Sequence, residues 1–585
     1  MISLRGLVAA TGAAIGLLAA SAQALPPVLD RVPADALVVI ATPSLDRLEK
    51  GSAALTGALN LPLPIPSLND AMSMAGFDQG VDSSKSAAIV LLAGDMDAEV
   101  PPMVILLPTD NYADLVGNFG EAAAGVTEVL INGEPAYFRD IGGGYALMSP
   151  MKALAEGFDG KAGNAQAHQT ALGESNRAIA DNADLLIIAN IEAIRPLAEP
   201  KLDAMFEEMM AATPLAMMGP GVANMEGAKE SLTAFLRQGR TAVIGLKADG
   251  AGLSIDLGAQ FIEGSALAET FARGGDAGSL LGKLPKQPYY LAVAADLTTP
   301  GMKRILKGMM ELNKRRMEEM AGEDAPPAMM MMAPEELDGM AAMVGASPGA
   351  MMGAGVLVNT VTYSKTPDPA GMIAKMRESM AALDGSEFQG MTYTATYTQG
   401  ATTVGGTAVD GWDIKIGGAE MNNPQVAQTM AMIFGPAGGP SGYVAAADGG
   451  VIQTYSKNSV LMGAALNAAK NPGAGLGSDA TVSQVAERLP GNRLVEGYVG
   501  MKSILDMVKM VGAMFGAPPV DVPADLPPVG FAVAGSGGAS RVSVFVPAPV
   551  LRTTSNIIQA FQEAGQDDFE EDAPAPKNRT GQPRF

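Results

Sequence analysis

The hydrophobic and polar positions of this chain switch repeatedly between a strand-like period and a helical period. Four segments begin with a short apolar run, reach a polar or proline break and continue with apolar residues at helical spacing. Ser44, Asn190 and Thr298 (or its neighbour) lie near the change of period, where such side chains cap helices. The pattern therefore predicts strand-to-helix units at ALVVIATPSLDRLEKGSAAL from Ala36, ADLLIIANIEAIRPLAEPKLDAM from Ala183, YYLAVAADLTTPGMKRILKGM from Tyr289 and RLVEGYVGMKSILDMVKMVGAM from Arg493.

A second kind of segment joins two strand-like runs by a turn and then enters a helical stretch. Asp249-Gly250 and Gly537-Gly538 stand at the turns of two such segments, which begin at Thr241 and Val529. Dipeptides of this kind are strong hairpin signals. Looser versions begin at Ala87 and Val356.

These segments follow one another in the same order in both halves of the chain. We therefore predict an internally duplicated unit, with a first repeat at 25–282 and a second at 283–565. Hairpins favour antiparallel pairing, so the predicted fold class is α+β, a mixed, largely antiparallel sheet with helices packed on it.

Two segments fit this plan less well. Residues 324–355 are rich in Met, Pro and Gly and are interpreted as a linker, within which PEELDGMAAMV from Pro334 is expected to form a short, mobile amphipathic helix. Residues 566–585 are expected to form a disordered acidic tail.

Four phrases of the first half carry a family resemblance: VPADALVVIATPSLDRL, PPMVILLPTDNYADLVGNF, YALMSPMKALAEGF and ADLLIIANIEAIRPL. They resemble a family of secreted proteins of unknown function from planctomycete-type bacteria, mainly over residues 30–270. The resemblance implies a secreted protein. Its phrases are structural, so it assigns no functional residue.

The first residues have the form of a signal peptide. Arg5 precedes an apolar run from Leu7 to Ala20, and SAQA ends at Ala24. We predict cleavage after Ala24 and a periplasmic or extracellular location. No later stretch is long and apolar enough for a membrane span, so we expect none in the mature chain.

Charge and cysteine content exclude several classes of function. The formal net charge is −23, and removal of Arg5, the only charged residue before Leu25, makes it −24. This excess of carboxylates repels phosphate backbones, so we expect no nucleic-acid partner. The chain has no cysteine, which excludes thiolate metal sites and cysteine nucleophiles.

Catalytic signatures are weak throughout. His168, the only histidine, lies in a polar run and is interpreted as a solvated surface residue. The one G-x-S-x-G match, at Ser347, contains Pro348, which lacks the backbone N–H that an oxyanion hole uses. We therefore assign no catalytic residue, cofactor or metal.

Methionine, at 38 residues, is in clear excess. Most clusters have helical spacing, which suits core packing, an adaptable apolar groove or thioether ligation of Cu(I). The cluster in the predicted linker fits core packing least. We therefore name a possible partner-binding segment formed by Met329, Met330, Met331, Met332, Met340 and Met343.

The first hypothesis is a non-enzymatic, exported protein that binds an unknown protein or an apolar ligand, with an apolar groove as a candidate site. The alternative is a carboxylate-based, glycan-active hydrolase, which requires a pocket with two carboxylates about 5 to 9.5 Å apart. A remote alternative is a Met-rich Cu(I)-binding protein.

The cleavage site is directly testable. Mass spectrometry of the native protein should find a mature N-terminus at Leu25, because Ala22 and Ala24 form the small-residue recognition site. Recovery of intact Met1 from a membrane fraction would contradict the prediction.

Overall fold

The computed structural model describes residues 25–59, 67–95, 101–131, 133–204, 224–321, 334–347, 349, 353–388, 390–514, 516 and 520–571. The predicted signal peptide, residues 1–24, lies outside this range. The described residues form an α+β fold, as predicted.

All the described strands belong to one sheet, and every pairing between them is antiparallel. They are β1 Val38–Thr42, β2 Ala87–Leu91, β3 Met103–Pro108, β4 Val126–Ile131, β5 Glu134–Gly142, β6 Tyr145–Ser149, β7 Leu185–Asn190, β8 Gly239–Asp249, β9 Gly252–Phe261, β10 Tyr289–Asp296, β11 Gly339–Gly345, β12 Val361–Lys365, β13 Glu387–Phe388, β14 Met391–Val404, β15 Thr407–Gly418, β16 Ser441–Ala447, β17 Gly450–Thr454, β18 Arg493–Val499, β19 Val529–Ser536 and β20 Ala539–Pro547.

The α-helices in the described ranges connect these strands. They are α1 Leu45–Leu59, α2 Leu68–Met74, α3 Tyr112–Gly117, α4 Lys152–Gly157, α5 Ala165–Asn182, α6 Ile191–Ala198, α7 Asn224–Gln238, α8 Ala266–Thr270, α9 Ala277–Leu281, α10 Pro300–Ala321, α11 Pro369–Leu383, α12 Pro424–Phe434, α13 Ser459–Lys470, α14 Ala480–Ala486, α15 Met501–Met514 and α16 Ala548–Glu571. None of them is both long and apolar enough to cross a membrane.

Several helices begin where the sequence supplies a capping side chain, although α4 and α5 have no such cap. Asn190 accepts a hydrogen bond from the backbone N–H of Ala193 at the start of α6, and Asp368 accepts one from Gly371 at the start of α11. Such caps satisfy backbone donors that have no partner within the helix. They set the residues at which α6 and α11 begin.

The strand order runs β4-β5-β6-β3-β2-β1-β7-β8-β9-β20-β19-β18-β10-β11-β12-β17-β16-β15-β14-β13. The two halves of the chain meet where β9 pairs with β20. Counted outward from this junction, both halves follow the same order. The last three strands of the half come first, in reverse sequence order, and its first three strands follow in sequence order. Its remaining strands come last, in reverse sequence order. The second half has two more strands than the first.

The junction is held by backbone pairing and by polar side-chain contacts, among them an ion pair of 3.2 Å between Arg488 and Asp249 and a shielded cluster around Asp256. β9 and β20 pair from Gly252 opposite Pro547 to Gln260 opposite Ala539, and Asp256 lies opposite Ser543. The Asp256 carboxylate accepts a hydrogen bond from the Ser543 hydroxyl, and its Oδ1 lies 2.9 and 3.0 Å from two guanidinium nitrogens of Arg541. The pair is largely shielded from water, since the side chains of Arg541 and Asp256 are 19% and 15% exposed.

One face of the sheet, here called the covered face, packs on helices and carries the two largest cores. In the first half it contributes Val39, Val90, Leu106 and Leu186, which pack with Leu172 of α5 and its neighbours. In the second half, α9, α13 and α14 cover the equivalent strands.

The opposite face, here called the apolar face, also packs on helices towards its margins. Ala295 and Val495 contact the cluster around Met302 of α10, and Val529 and Val546 contact the cluster formed with α15 and α16. The residues between these helices are described below.

Two expectations about irregular segments are wrong. Pro334–Glu336 is a 3-10 helix and residues 339–345 form β11, so PEELDGMAAMV is not an amphipathic helix. The reason is pairing on both sides, since β11 lies between β10 and β12 and its small residues, such as Gly339 and Ala341, pack on the covered face. The helix α16 also extends to Glu571, so 566–571 are helical, whereas 572–585 lie outside the described residues.

The junction cluster predicts a stability difference. Arg541→Leu should lower the free energy of unfolding by about 1–3 kcal/mol, because it leaves the shielded carboxylate of Asp256 with only a hydroxyl partner. The measurement is the shift of the urea-unfolding midpoint.

Arg304→Leu provides the matched control, because Arg304 and its partner Glu269 are 52% and 60% exposed. Its effect should stay within about 1 kcal/mol. Equal effects of the two variants would contradict a structural role for the junction cluster.

Candidate ligand-binding face

Direct cross-strand partners form one continuous apolar row across twelve strands, from β6 to β11. Each residue lies opposite the next in the sheet register. In sheet order the row is Met148, Ile105, Ile89, Ile40, Ile187, Ile244, Leu257, Val542, Val533, Val495, Ala295 and Met340. With strands about 4.8 Å apart, it follows the sheet for about 53 Å.

None of the twelve residues is fully buried. Leu257 and Met340 are 43% and 37% exposed, and the other ten are half-buried. A second row lies two residues along each strand and is also apolar; from β7 to β11 it consists of Leu185, Leu246, Ile255, Val544, Phe531, Gly497, Val293 and Ala342. Both rows lie on the apolar face.

The covered face has the opposite character, because several of its central positions are polar. Asp256 and Ser543 lie there, and so does Glu496, which is only 2% exposed. The Tyr498 hydroxyl donates a hydrogen bond to Glu496, and Arg493 lies 2.8 Å from the same carboxylate oxygen. Burial, and after it the negative charge of Glu496, raises the pKa of Tyr498 well above its usual value. The sheet thus buries polar groups on the covered face, whereas the apolar face carries aliphatic groups that remain partly accessible between the helices at its margins.

An apolar cleft of about 390 Å³ continues the apolar face at one end of the strands. Leu59 of α1, Met501 of α15 and Ile558 of α16 line it together with Val529 and Val546 of the sheet. Its size lies within the range of small-molecule clefts. Ile558 is 52% exposed, so this apolar side of the cleft is accessible to solvent.

The structure places the predicted methionine segment in two environments. Met340 belongs to the apolar row, whereas Met343 is fully buried in the core of the covered face. Met329, Met330, Met331 and Met332 lie outside the described residues. Helical methionines such as Met372 and Met376 pack in the core beside Trp412, as ordinary core residues do.

His168 is not a solvated surface residue, contrary to the sequence interpretation. It lies on α5 and is 6% exposed, and its Nε2 donates a hydrogen bond of 2.9 Å to the carbonyl oxygen of Val32. The polar run around it is helical with a kink at Gly173, and His168, Leu172 and Ile179 are buried on its two parts. Burial lowers the pKa of His168 below its usual value of 6.5, and the hydrogen bond to Val32 opposes this only in part.

Within the described ranges, no group of three or more His, Cys, Asp or Glu side chains could hold a metal ion. The Ser347 hydroxyl belongs to a residue that is 6% exposed, and Pro348 lies outside the described residues.

Sequence reasoning did not find the apolar rows, although the strands contain a signal for them. The runs LVVIA, AIVLL and LLIIA have no polar residue at alternate positions. Such continuous runs are typical of strands that are apolar on both faces. The periodicity of β1, β2 and β7 therefore already indicated that the second face is not a solvated one.

Comparisons with family models, curated proteins and solved structures found no match to this chain. The resemblance to a family of secreted proteins stays a prediction.

The lowered pKa of His168 predicts a pH-dependent stability. Below about pH 6.5 the unfolded chain binds a proton at this imidazole before the folded chain does, so stability should fall as the pH decreases through that window. Because the chain has one histidine, its NMR titration gives the folded pKa without assignment work.

His168→Gln isolates this contribution from the carboxylates that titrate at lower pH. The stability of wild type relative to this variant should decrease from pH 7 to pH 5. A folded pKa at or above 6.5 would contradict the prediction.

Proposed function

We propose that this chain is an exported, non-enzymatic binding protein whose apolar face holds the hydrocarbon part of an amphipathic, lipid-like molecule. The observation that carries the proposal is the apolar row, which crosses twelve strands without a polar side chain and without a fully buried one. Aliphatic surface of this extent is unusual on a protein that has no ligand or partner for it.

The energetics favour occupation of this face. Covering apolar surface gains about 25 cal/mol per Å², so a ligand that covers about 400 Å² gains about 10 kcal/mol before the cost of association. The cleft beside Met501 and Ile558 adds apolar walls at one end. A chain of methylene groups can follow both surfaces.

The chemistry of the face favours an acyl chain over an extended polypeptide. Its two rows offer aliphatic and aromatic side chains and no side-chain hydrogen-bonding group. An extended peptide laid on this surface would leave backbone N–H and C=O groups without partners, which is costly away from water. An acyl chain has no such groups.

The two-unit plan is part of the proposal. We infer that the halves arose by duplication, because both follow one strand order outward from the β9–β20 junction. Asp256 and Ser543 lie four residues after the first residue of β9 and β20 and face each other, as a two-fold relation requires. Superposition of residues 25–282 on 283–565 tests this inference. The junction makes the apolar row of one unit continuous with that of the other.

The surface predicts a selective loss of binding. Leu257→Glu places a carboxylate at the centre of the apolar row and should weaken binding of a fluorescent fatty-acid analogue at least tenfold, which corresponds to about 1.4 kcal/mol. Titration of the analogue against purified protein measures this loss.

Leu130→Glu is the matched control, because Leu130 is a more exposed leucine (64%) on the outer strand β4. It should leave the affinity unchanged. Absence of saturable binding to wild type, or equal loss in both variants, would refute the acyl-chain proposal. Solvent extraction of protein purified without detergent should also release fatty-acyl material.

A further inference from the structure

A cleft of about 540 Å³ lies on the covered side of the sheet, away from the apolar face. It opens between the first turns of α5 and the strands β1, β7 and β8. Its floor is apolar and includes the buried residues Val39 and Ile188, and its rim carries polar groups. An apolar floor with a few convergent polar groups is the usual composition of a small-molecule site.

His168 supplies a hydrogen-bond acceptor in this cleft. Its Nε2 contacts the carbonyl oxygen of Val32, and since a carbonyl can only accept, Nε2 carries the proton. The neutral imidazole therefore has its lone pair on Nδ1, which has no hydrogen-bond partner among the described residues. Nδ1 is not fully buried and His168 lines the cleft, so a donor group on a ligand in the cleft can reach this acceptor.

Arg240 supplies a cation at the same cleft. It is exposed and has no ion pair or hydrogen bond with any residue in the described ranges. An arginine guanidinium binds a carboxylate through two parallel hydrogen bonds, with a planar geometry that lysine does not offer.

Glu192 also lines the cleft, and both charged residues border a second cleft of about 510 Å³ on their other side. That neighbour contains Glu263 and Glu269, so the surroundings become acidic beyond Arg240. A ligand with a carboxylate on Arg240 and a neighbouring donor group meets complementary charge on both sides.

We propose that this cleft binds a small carboxylate that has an amino or hydroxyl group on the adjacent carbon, with its carboxylate on Arg240 and its donor group on Nδ1 of His168. The site is separate from the apolar face, because Val39 and Ile188 belong to the covered side of β1 and β7. It does not depend on the proposed acyl-chain function.

The single histidine provides the readout. Long-range ¹H–¹⁵N correlation spectra of ¹⁵N-labelled protein contain one pair of imidazole nitrogens, both from His168. Titration with L-alanine and with L-lactate should shift the Nδ1 resonance in a saturable way. The compound that binds more tightly identifies whether the donor group of the ligand is an ammonium or a hydroxyl group.

Acetate, a carboxylate without the adjacent donor, should shift Nδ1 much less. Arg240→Gln should weaken the response to the better ligand at least tenfold, with the rest of the spectrum unchanged. Arg237→Gln is the matched control, because Arg237 is paired with Glu199 and does not line either cleft. It should behave as wild type.

The proposal is overturned if neither alanine nor lactate shifts Nδ1, if acetate is as effective as both, or if Arg240→Gln and Arg237→Gln respond alike. The two proposals fail separately. Leu257→Glu should leave the Nδ1 response intact, and the fatty-acid analogue should leave Nδ1 unshifted.

Discussion

Pairing of β9 with β20 is the interaction on which the rest of this structure depends. It joins two halves that would otherwise end in open strand edges, which are prone to pair with other chains. The pairing sets the register of both halves at once, because a slip of one residue would turn every side chain of one half to the other face. Asp256, Ser543 and Arg541 oppose such a slip, since their contacts form in one register only.

The register has a chemical consequence for the two faces. It aligns Leu257 with Val542 on one side and Asp256 with Ser543 on the other. Helix α5 covers the polar pair and also buries His168, so the ionisable groups of this region lie beneath helices. On the other side of the sheet, Leu257 is 43% exposed. The same pairing therefore creates both the buried polar network and the continuous apolar surface.

Local signals in the sequence predicted much of the fold. The hairpins at Asp249-Gly250 and Gly537-Gly538 are confirmed, and the second has two successive glycines at positive φ, the conformation that a tight hairpin turn requires. The helix predicted at PEELDGMAAMV was wrong, because the Met and Ala residues of this segment favour a helix, whereas pairing with β10 and β12 makes it the strand β11. The runs of β1, β2 and β7 signal an apolar second face, but the continuity of the row could not be derived. It depends on pairs such as Leu257 with Val542, which lie 285 residues apart, and local periodicity does not specify which strands are neighbours.

The number of strands in the row has a further consequence for shape. Adjacent strands of a sheet are rotated by about 20° with a constant hand, so eleven steps from β6 to β11 accumulate a rotation of about 220°. A surface with this rotation is helically twisted, and its two ends face in nearly opposite directions. A rigid rod or a flat ring system can contact only a few strands of such a twisted face. Under the acyl-chain proposal, a flexible hydrocarbon chain follows this rotation of less than one turn, so the twist favours flexible ligands over rigid ones.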